Sequence, residues 1–414
     1  MSAKAFSRKQ LHSYTILVPN MAPIQFRLIQ AAMESEGMHC VMLQSSSYQA
    51  LDLGLKYVHN DTCYPAVLVI GQFLEALESG RYDPDKTMLL ITQTGGGCRA
   101  SNYYMLLKKA LKKAGYENIR VLSANTSGLN QDSSVPLSLP LLLKLIAAVW
   151  YGDLLFYLRN QITPYEKNKG ETQKLLDNWL AACSSWISKG KKLSSASLKK
   201  AFKEITADFA SIEKENIQKI KVGVVGEIYV KFSPLGNNDL VNFLEKEGCE
   251  VNMPGLMGFV EYCIANYDIS VKSYGGNHFI AWFCRQLLNY LDSVGKAMSQ
   301  ALRSAGFNAP CSFHELMEKP DGIIHLGAKM GEGWLLTAEM AELIESGYPN
   351  IICAQPFGCL PNHIVGKGVI NQLRNKYPQA NIAPVDYDPG SSKVNQENRI
   401  KLMLAVAKEN MIGA

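Results

Sequence analysis

The chain has 414 residues, of which 47% are hydrophobic and 19% are charged, and its formal net charge is +5. This length and composition are typical of a globular protein with two or three cores, and they exclude a disordered or fibrous chain. Because the net charge is small and basic residues are interleaved with acidic ones, we expect no nucleic-acid partner.

The sequence predicts neither a signal peptide nor a membrane span. Residues 1–13 form a short tail that leads into a predicted strand, not into an apolar segment with a cleavage site. The longest apolar run, residues 137–150, contains Pro140 and Lys144 and is shorter than the roughly 20 residues that cross a bilayer. We therefore expect a cytoplasmic protein that does not enter the membrane.

Short apolar runs alternate with longer amphipathic runs from residue 14 to about residue 125, which is the pattern of a parallel sheet covered by helices. The predicted strands are Tyr14–Pro19, Met38–Leu43, Thr87–Thr92 and Ile119–Ser123. The predicted helices are Pro23–Glu36, Tyr64–Ser79 and Asn102–Ala114. We assign residues 14–150 to a first α/β lobe.

From about residue 137 to residue 218 the pattern predicts helices alone, with breaks near Thr163–Pro164 and Ser188–Gly190. We interpret residues 151–218 as a helical connector or cap, and residues 219–414 as a second α/β lobe. Its predicted strands are Val222–Val225, Cys249–Met253, Gly322–Leu326, Asn350–Ala354 and Ile382–Val385. Its predicted helices are Asn238–Glu247, Ala281–Ser304, Leu335–Ser346, Asn362–Lys376 and Gln396–Glu409. The predicted fold class is α/β, with two Rossmann- or flavodoxin-like lobes of parallel sheet flanked by helices.

Ten cysteines need an explanation, because a cytosolic redox poise discourages structural disulfides. Three of them lie in turns directly before a predicted helix: Cys63 before Tyr64-Pro65, Cys98 after three glycines, and Cys359 after Gly358. Five others lie in apolar strand-like or helix-like surroundings, where we expect small buried hydrophobes: Cys40, Cys183, Cys249, Cys263 and Cys284.

The three turns are compatible with a metal cluster. A helix N-terminus presents free amides and partial positive charge, so we expect lowered thiol pKa values at Cys63, Cys98 and Cys359. Such corners lie at the carboxyl edge of an open sheet, where ligands bind. Three thiolates match a four-iron cluster with one iron left open, whereas structural zinc sites usually carry paired C-x-x-C ligands. On spacing alone, one nucleophilic cysteine with two bystanders explains the pattern about as well.

Five segments carry a family resemblance: NDTCYPAVLVIGQ (60–72), TQTGGGCRASNYY (92–104), GEIYVKFSP (226–234), QPFGCLPNHIVGKG (355–368) and DYDPGSSKVNQENRIKLML (386–404). They resemble the 2-hydroxyacyl-CoA dehydratase superfamily, and among its members the activase-related and double-cubane cluster proteins most of all. The similarity covers roughly residues 14–160 and 219–410.

The resemblance implies an iron–sulfur protein in which Cys63, Cys98 and Cys359 bind a low-potential cluster, either [4Fe–4S] or double-cubane. It also implies a partner, an ATP-dependent activase that is itself an iron–sulfur ATPase and that delivers the electron. In the dehydratases that electron converts a 2-hydroxyacyl-CoA into a transient ketyl radical, so a CoA ester or another small molecule is the implied substrate.

The sequence departs from this family pattern in two respects. It lacks the G-x-x-x-x-G-K-[ST] loop of an ATPase, and three motif cysteines are fewer than a double-cubane cluster needs. Cys353 and Cys311 are the first candidates for further ligands, although a place in the core suits Cys353 better.

Glu227 follows a predicted strand. This position is compatible with a general base, with a hydrogen-bond acceptor near a cluster, or with a partner in an ordinary salt bridge. His363 fits either a hydrogen-bond donor near Cys359 or a surface residue at a helix start. Three functions therefore stay open: a catalytic dehydratase or reductase, an accessory subunit that docks the activase, and a cluster-free thiol enzyme. Whether two copies form a dimer is not determined by the sequence.

Overall fold

The computed structural model describes residues 11–44, 48–59, 61–93, 97–124, 135 and 138–412. Two parallel four-stranded sheets form its frame. The first has the order β2-β1-β3-β4 and consists of β1 (Thr15–Pro19), β2 (His39–Leu43), β3 (Thr87–Thr92) and β4 (Arg120–Ala124). The second has the order β6-β5-β7-β8 and consists of β5 (Ile220–Gly226), β6 (Cys249–Asn252), β7 (Asn350–Pro356) and β8 (Asn381–Tyr387). The predicted α/β fold with two lobes of parallel sheet is confirmed.

Both sheets reverse their strand order at one point, between β1 and β3 in the first and between β5 and β7 in the second. Loops at such a point diverge toward opposite faces, which leaves a crevice at the carboxyl ends of the strands. The central strands are continuous apolar runs because helices cover both of their faces; all seven residues of β7 are buried.

The helices of the first lobe are α1 (Pro23–Glu34), α2 (Tyr48–Tyr57), α3 (Tyr64–Glu78) and α4 (Tyr103–Lys113). The three predicted helices are confirmed, whereas α2 was not predicted. It packs against α3 through Gly54 and Gly71, where a β-carbon would collide with the backbone of Val67 and Ala50 respectively. These glycines let α2 hold the N-terminal half of α3 in place.

The predicted run of helices between the lobes is confirmed as α5 (Leu139–Ile162), α6 (Glu171–Ser188) and α7 (Ser195–Ala210). A short 3₁₀ turn, Thr163–Tyr165, follows α5 at the predicted break. α5 continues through residues 150 and 151, where the first domain limit was placed, and the domain limits stay a prediction.

One helical stretch among the described residues, Leu139–Tyr165, is long and apolar enough to cross a membrane, with a mean hydropathy of 1.7. It is longer than the apolar run noted in the sequence, because helix continues beyond Trp150. However, 72% of its most apolar window is buried inside the protein, as is typical of a core helix of a soluble protein.

The second lobe contains a larger set of helices than predicted. They are α8 (Ile228–Phe232), α9 (Pro234–Asn237), α10 (Leu240–Lys246), α11 (Leu256–Tyr274), α12 (His278–Ser304), α13 (Phe313–Glu318), α14 (Trp334–Glu345), a π-helical turn (Asn362–Lys367), α15 (Ile370–Lys376) and α16 (Lys393–Ile412). The 19-residue α11 was missed, and the predicted helix Asn362–Lys376 is divided into the π turn and α15.

The predicted strand Gly322–Leu326 is wrong. The backbone N–H groups of Ile323 and Ile324 both bond to the carbonyl of Pro320, at 2.9 and 3.0 Å, and so close a turn. The two isoleucines pack against the core from a loop, which explains why an apolar run resembled a strand.

Asp153 of α5 ties the helical segment to both lobes. Its carboxylate accepts from the backbone N–H groups of Leu256 and Met257, at 3.0 and 2.8 Å, where α11 begins. It also accepts from the side-chain amide of Gln25 in α1, at 2.9 Å. One buried carboxylate thus accepts hydrogen bonds from two backbone N–H groups that the helical turn at the start of α11 leaves unpaired. The same carboxylate fixes the position of α1.

Candidate functional site

Cys63 lies at the start of α3, as the sequence predicted, and is itself the N-cap residue. Pro65 occupies the first turn, where its missing N–H costs nothing. The thiol is 7% exposed, and its sulfur lies 3.0 Å from the hydroxyl oxygen of Tyr103, the first residue of α4. The N-termini of α3 and α4 therefore meet at this sulfur.

Cys98 precedes the 3₁₀ turn Arg99–Asn102 and is half-buried. Its carbonyl accepts from the N–H of Ser101 at 3.1 Å and from the Ser101 hydroxyl at 2.6 Å. Of the preceding glycine loop, Gly95 and Gly96 lie outside the described residues. The N–H of Gly97 donates to the sulfur of Met330 in the second lobe, at 3.1 Å, so this loop lies against the opposite lobe.

Cys359 follows β7 after a turn in which Gly358 has a φ of +76°, a conformation that favours glycine. The thiol is 8% exposed. The side-chain amide nitrogen of Asn362 lies 3.3 Å from its sulfur and donates to it, and the same nitrogen lies 3.2 Å from the Glu332 carboxylate. The first turn after Cys359 thus links the thiol to an acidic residue.

Glu227 and Glu332 form a carboxyl pair beside the cysteine turns, in which Glu332 is buried and Glu227 is half-buried. Glu227 directly follows β5, and its carboxylate caps α8 by accepting from the N–H of Val230 at 2.8 Å. Glu332 accepts from the N–H of Ile228 at 3.0 Å. Burial and the charge of Glu332 raise the pKa of Glu227, and burial raises the pKa of Glu332. The pair therefore holds a proton more firmly than exposed carboxyls do.

Electrostatic interactions connect Cys63 and Cys359 with this carboxyl pair, and Cys98 with Cys63. Burial raises the pKa of Cys63 to about 11, and the charges of Glu227 and Cys98 act in the same direction. Burial, Glu332 and Glu227 raise the pKa of Cys359. Cys63 and Cys359, which come from different lobes, thus share Glu227 as a neighbour, and Cys98 adjoins Cys63.

The expectation of lowered thiol pKa values is wrong for Cys63 and Cys359. Each lies at a helix start, but removal from water and the two carboxyls outweigh the amides there. Both are neutral thiols at pH 7, so binding a metal would release their protons.

The donor chemistry fits an iron–sulfur cluster, the cofactor that the family resemblance implies. Three turns each contribute one soft sulfur donor, and of these donors Cys98 is half-buried whereas Cys63 and Cys359 are buried. Beside Cys359, the side-chain oxygen of Asn362 and the Nδ1 of His363 are buried without a hydrogen-bond partner. Such orphaned polar atoms are expected beside a site that receives a further group.

A single metal ion is a poorer match. No three His, Cys, Asp or Glu side chains among the described residues come close enough to hold one. The ligands of one ion all lie within about 2.3 Å of it, whereas the thiolates of a multi-iron cluster bind different irons and stand farther apart.

The further cysteine candidates do not join this group. Cys353 lies in β7 at 0% exposure and packs in the core, and the charges that act on it belong to Asp386, Glu339 and Lys367. Cys311 lines a separate cavity. Of the five cysteines expected to be buried hydrophobes, Cys40, Cys183 and Cys249 are buried, Cys284 is half-buried and Cys263 is exposed.

His363 is half-buried and packs its ring against Phe357, with ring centroids 6.5 Å apart. It is therefore not a plain surface residue. Its backbone N–H donates to the carbonyl of Cys359 at 3.1 Å, whereas its ring Nδ1 has no hydrogen-bond partner among the described residues.

Sequence reasoning missed Glu332 and Met330. Both lie in the loop between α13 and α14, next to the segment that was read as a strand. Gly331 and Gly333 have φ values of +60° and +47°, so this loop turns where other residues are strained. The local signal was a carboxyl between two glycines, Gly331-Glu332-Gly333, but only the tertiary fold brings it to Cys359.

No protein-family model matches the chain, and no curated protein matches it significantly.

Proposed function

We propose that this chain is an iron–sulfur protein of the 2-hydroxyacyl-CoA dehydratase superfamily, with one cluster on Cys63, Cys98 and Cys359. The observation that supports the proposal is that Cys63 and Cys359, from different lobes, share Glu227 as an electrostatic neighbour, while Cys98 interacts with Cys63. A [4Fe–4S] cluster suits three thiolates better than a double-cubane cluster, because Cys311 and Cys353 lie apart from them.

When bound, such a cluster supplies single electrons at low potential and a Lewis-acidic iron. The residues of this chain would hold and tune it. Tyr103 lies within hydrogen-bond distance of the Cys63 sulfur, and Asn362 donates to that of Cys359. Hydrogen bonds to sulfur stabilise the more negative, reduced state and so raise the reduction potential.

We assign the proton of the reaction to the Glu227–Glu332 pair. Loss of a hydroxyl from a 2-hydroxyacyl substrate needs a proton, so that water leaves in place of hydroxide. The raised pKa of Glu227 lets this carboxyl keep its proton at neutral pH and give it to that oxygen. Backbone hydrogen bonds hold both carboxyls in place: Glu227 accepts from the N–H of Val230, and Glu332 accepts from the N–H of Ile228.

The proposal includes the partners that the resemblance implies. The electron donor would be an ATP-dependent iron–sulfur activase, the substrate a CoA ester or another small molecule, and the compartment the cytoplasm. Cys98, the most accessible of the three thiols, marks the side from which electrons and substrate would approach.

The test is anaerobic reconstitution with iron and sulfide, followed by analysis of both per chain. We expect about four of each in the parent, and a large loss of iron and of visible absorption in Cys63→Ala, Cys98→Ala and Cys359→Ala. Cys249→Ala is the matched control, because this thiol is buried at 0% exposure in β6, away from the site.

A parent protein that takes up no iron would refute the cluster. Iron uptake without conversion of any 2-hydroxyacyl-CoA, in the presence of activase and ATP, would instead favour the accessory subunit. Retention of absorption in all three variants, with activity lost in Cys98→Ala alone, would favour the thiol enzyme.

A further inference from the structure

Helices α11 and α12 pack against each other and are joined by a short link, residues 275–277. One face of α12 is directed into the protein, where Ala281, Leu288 and Leu291 are buried. The opposite face of its first half is apolar as well, whereas the outer face of a surface helix is normally polar. This part of α12 therefore has the composition of a helix that is covered on both sides.

Four aromatic side chains form this outer face. Their exposed fractions are 73% for Phe279, 48% for Trp282, 57% for Phe283 and 42% for Tyr290. The rings of Phe279 and Trp282 are stacked, with centroids 6.0 Å apart, so they form one continuous surface. Phe279, Phe283 and Tyr290, with the exposed Gln286, follow one another at intervals of four, three and four residues, which places them on one side of the helix. We call these five residues the outer stripe.

The outer stripe supplies about half of the area that one partner of a stable dimer buries. With about 200 Å² for a fully exposed aromatic residue, the four rings leave roughly 400 Å² accessible on one chain. A standard interface buries about 800 Å² per partner, and its rim is polar. Exposed uncharged residues beside the stripe, Asn289 and Ser293, are available for such a rim.

The order of residues in the stripe suits a second copy of this chain. A two-fold interface places the same surface on both chains, so two antiparallel α12 helices meet each other's stripe in reverse order. Intervals of four, three and four residues read the same in both directions. They bring Phe279 opposite the partner's Tyr290, and Phe283 opposite the partner's Gln286. No residue of the stripe is charged, so no like charges face each other across the axis.

A membrane surface is a poorer partner. Amphipathic helices that lie on a membrane are rich in Lys and Arg beside their apolar face. Residues 278–295 contain one such residue, Arg285, and its guanidinium lies 3.7 Å from the carboxylate of Asp268. The surface beside the stripe therefore has little charge with which to attract anionic lipids.

We propose that the outer stripe is the contact surface of a homodimer, in which α12 of each chain packs antiparallel to α12 of the other. Phe279 of each chain packs against the partner's Tyr290. The removal of the aromatic side chains from water drives the association, because apolar burial is the dominant favourable term when proteins associate. This interface is independent of the iron–sulfur proposal.

Sedimentation equilibrium of the full chain tests the proposal. We expect the mass of two chains at about 10 µM protein. Phe279→Glu and Tyr290→Lys should each weaken association at least about tenfold, because each buries an unpaired charge twice in the dimer. The double variant Phe279→Glu/Tyr290→Lys should recover most of the dimer, since the two introduced charges are of opposite sign and face each other twice in the antiparallel register.

Leu402→Glu is the matched control, because this leucine is 69% exposed on α16, and the variant should associate like the parent. A parent that is monomeric at about 100 µM would overturn the proposal, and its flotation with vesicles of phosphatidylcholine and phosphatidylserine would favour the membrane instead. Unaltered association in either single variant, or no recovery in the double variant, would refute the antiparallel pairing. Should a charged variant fail to fold, Phe279→Ala and Tyr290→Ala replace it, and undiminished association in both would refute the interface.

Discussion

The side-chain amide of Asn362 donates a hydrogen bond to the sulfur of Cys359 at 3.3 Å. The same nitrogen lies 3.2 Å from Glu332, so one amide connects a proposed cluster ligand with the proposed proton carrier. Asn362 is fully buried, and this contact is therefore protected from competing water.

Replacing Asn362 by Leu should lower the reduction potential of the reconstituted protein, because the sulfur loses a donor that favours the reduced state. A hydrogen bond of about 1 kcal/mol corresponds to roughly 40 mV for a one-electron couple. Redox titration followed by EPR measures the shift. The control Asn242→Leu removes a surface amide that donates to Asp239 and accepts from Arg159, away from the proposed cluster, and its potential should equal that of the parent. An unaltered or raised potential in Asn362→Leu would contradict the assigned role.

Asp153→Ala should destabilise the protein by about 3 kcal/mol or more. The substitution leaves the N–H groups of Leu256 and Met257 buried without acceptors, at about 1–3 kcal/mol each. Urea unfolding measures the change. Asp177→Ala removes an exposed carboxylate paired with Arg27 and should cost less than about 1 kcal/mol. Equal costs for the two variants would show that Asp153 does not hold α11.

The stability of the metal-free protein should fall as pH rises from about 4.5 to 6 through the contribution of Glu342. Burial raises the pKa of this carboxyl to about 6. In that window the folded state binds more protons than the unfolded state, so the free energy of unfolding decreases with rising pH. The contribution is roughly 2 kcal/mol and is fully lost above pH 6.

Glu342→Gln tests this contribution, because glutamine does not titrate and can still accept from Cys311 and Ser346. The unfolding free energy of the variant minus that of the parent should increase from pH 4.5 to pH 7. A difference that is constant with pH, or that decreases, would show that the carboxyl is not buried in its neutral form.

Gly226→Ala should destabilise the protein by more than about 3 kcal/mol and displace Glu227. Gly226 has a φ of +154°, and a β-carbon there would collide with the backbone carbonyl of Ala354. Gly248→Ala is the matched control: its φ is +82°, but nothing lies within 4 Å of the added carbon. The control measures backbone strain alone, about 1–2 kcal/mol. Thermal unfolding compares the two, and equal losses would refute the crowding argument.

The sequence predicted most of the strands because the central ones are unbroken apolar runs, such as Thr87–Thr92, which is observed with the same limits. It failed at Gly322–Leu326, where two isoleucines pack from a turn. Composition alone cannot separate these cases, since a short apolar run is buried in both.

The turns that carry Cys63, Cys98 and Cys359 were predictable, because each contains a Gly or Pro near the cysteine that is typical of a turn or of a helix start. The surroundings were not predictable. Glu332 reaches Cys359 from a loop nearly thirty positions away in the chain, and the raised pKa of Cys63 depends on burial by the fold. Contacts between distant segments carry no local sequence signal.

Differential alkylation of the reconstituted protein, with mass spectrometry of each cysteine, tests the central claim most directly. The half-buried Cys98 should be shielded when the cluster is present, and Cys63, Cys98 and Cys359 should become reactive together when a chelator removes the iron under mild denaturation. Cys284, which is half-buried in α12 and has Asp268 rather than a site residue as its charged neighbour, should react equally in both states. If the three thiols lose protection independently of one another, or if Cys98 reacts at the same rate with and without iron, they do not hold one common group.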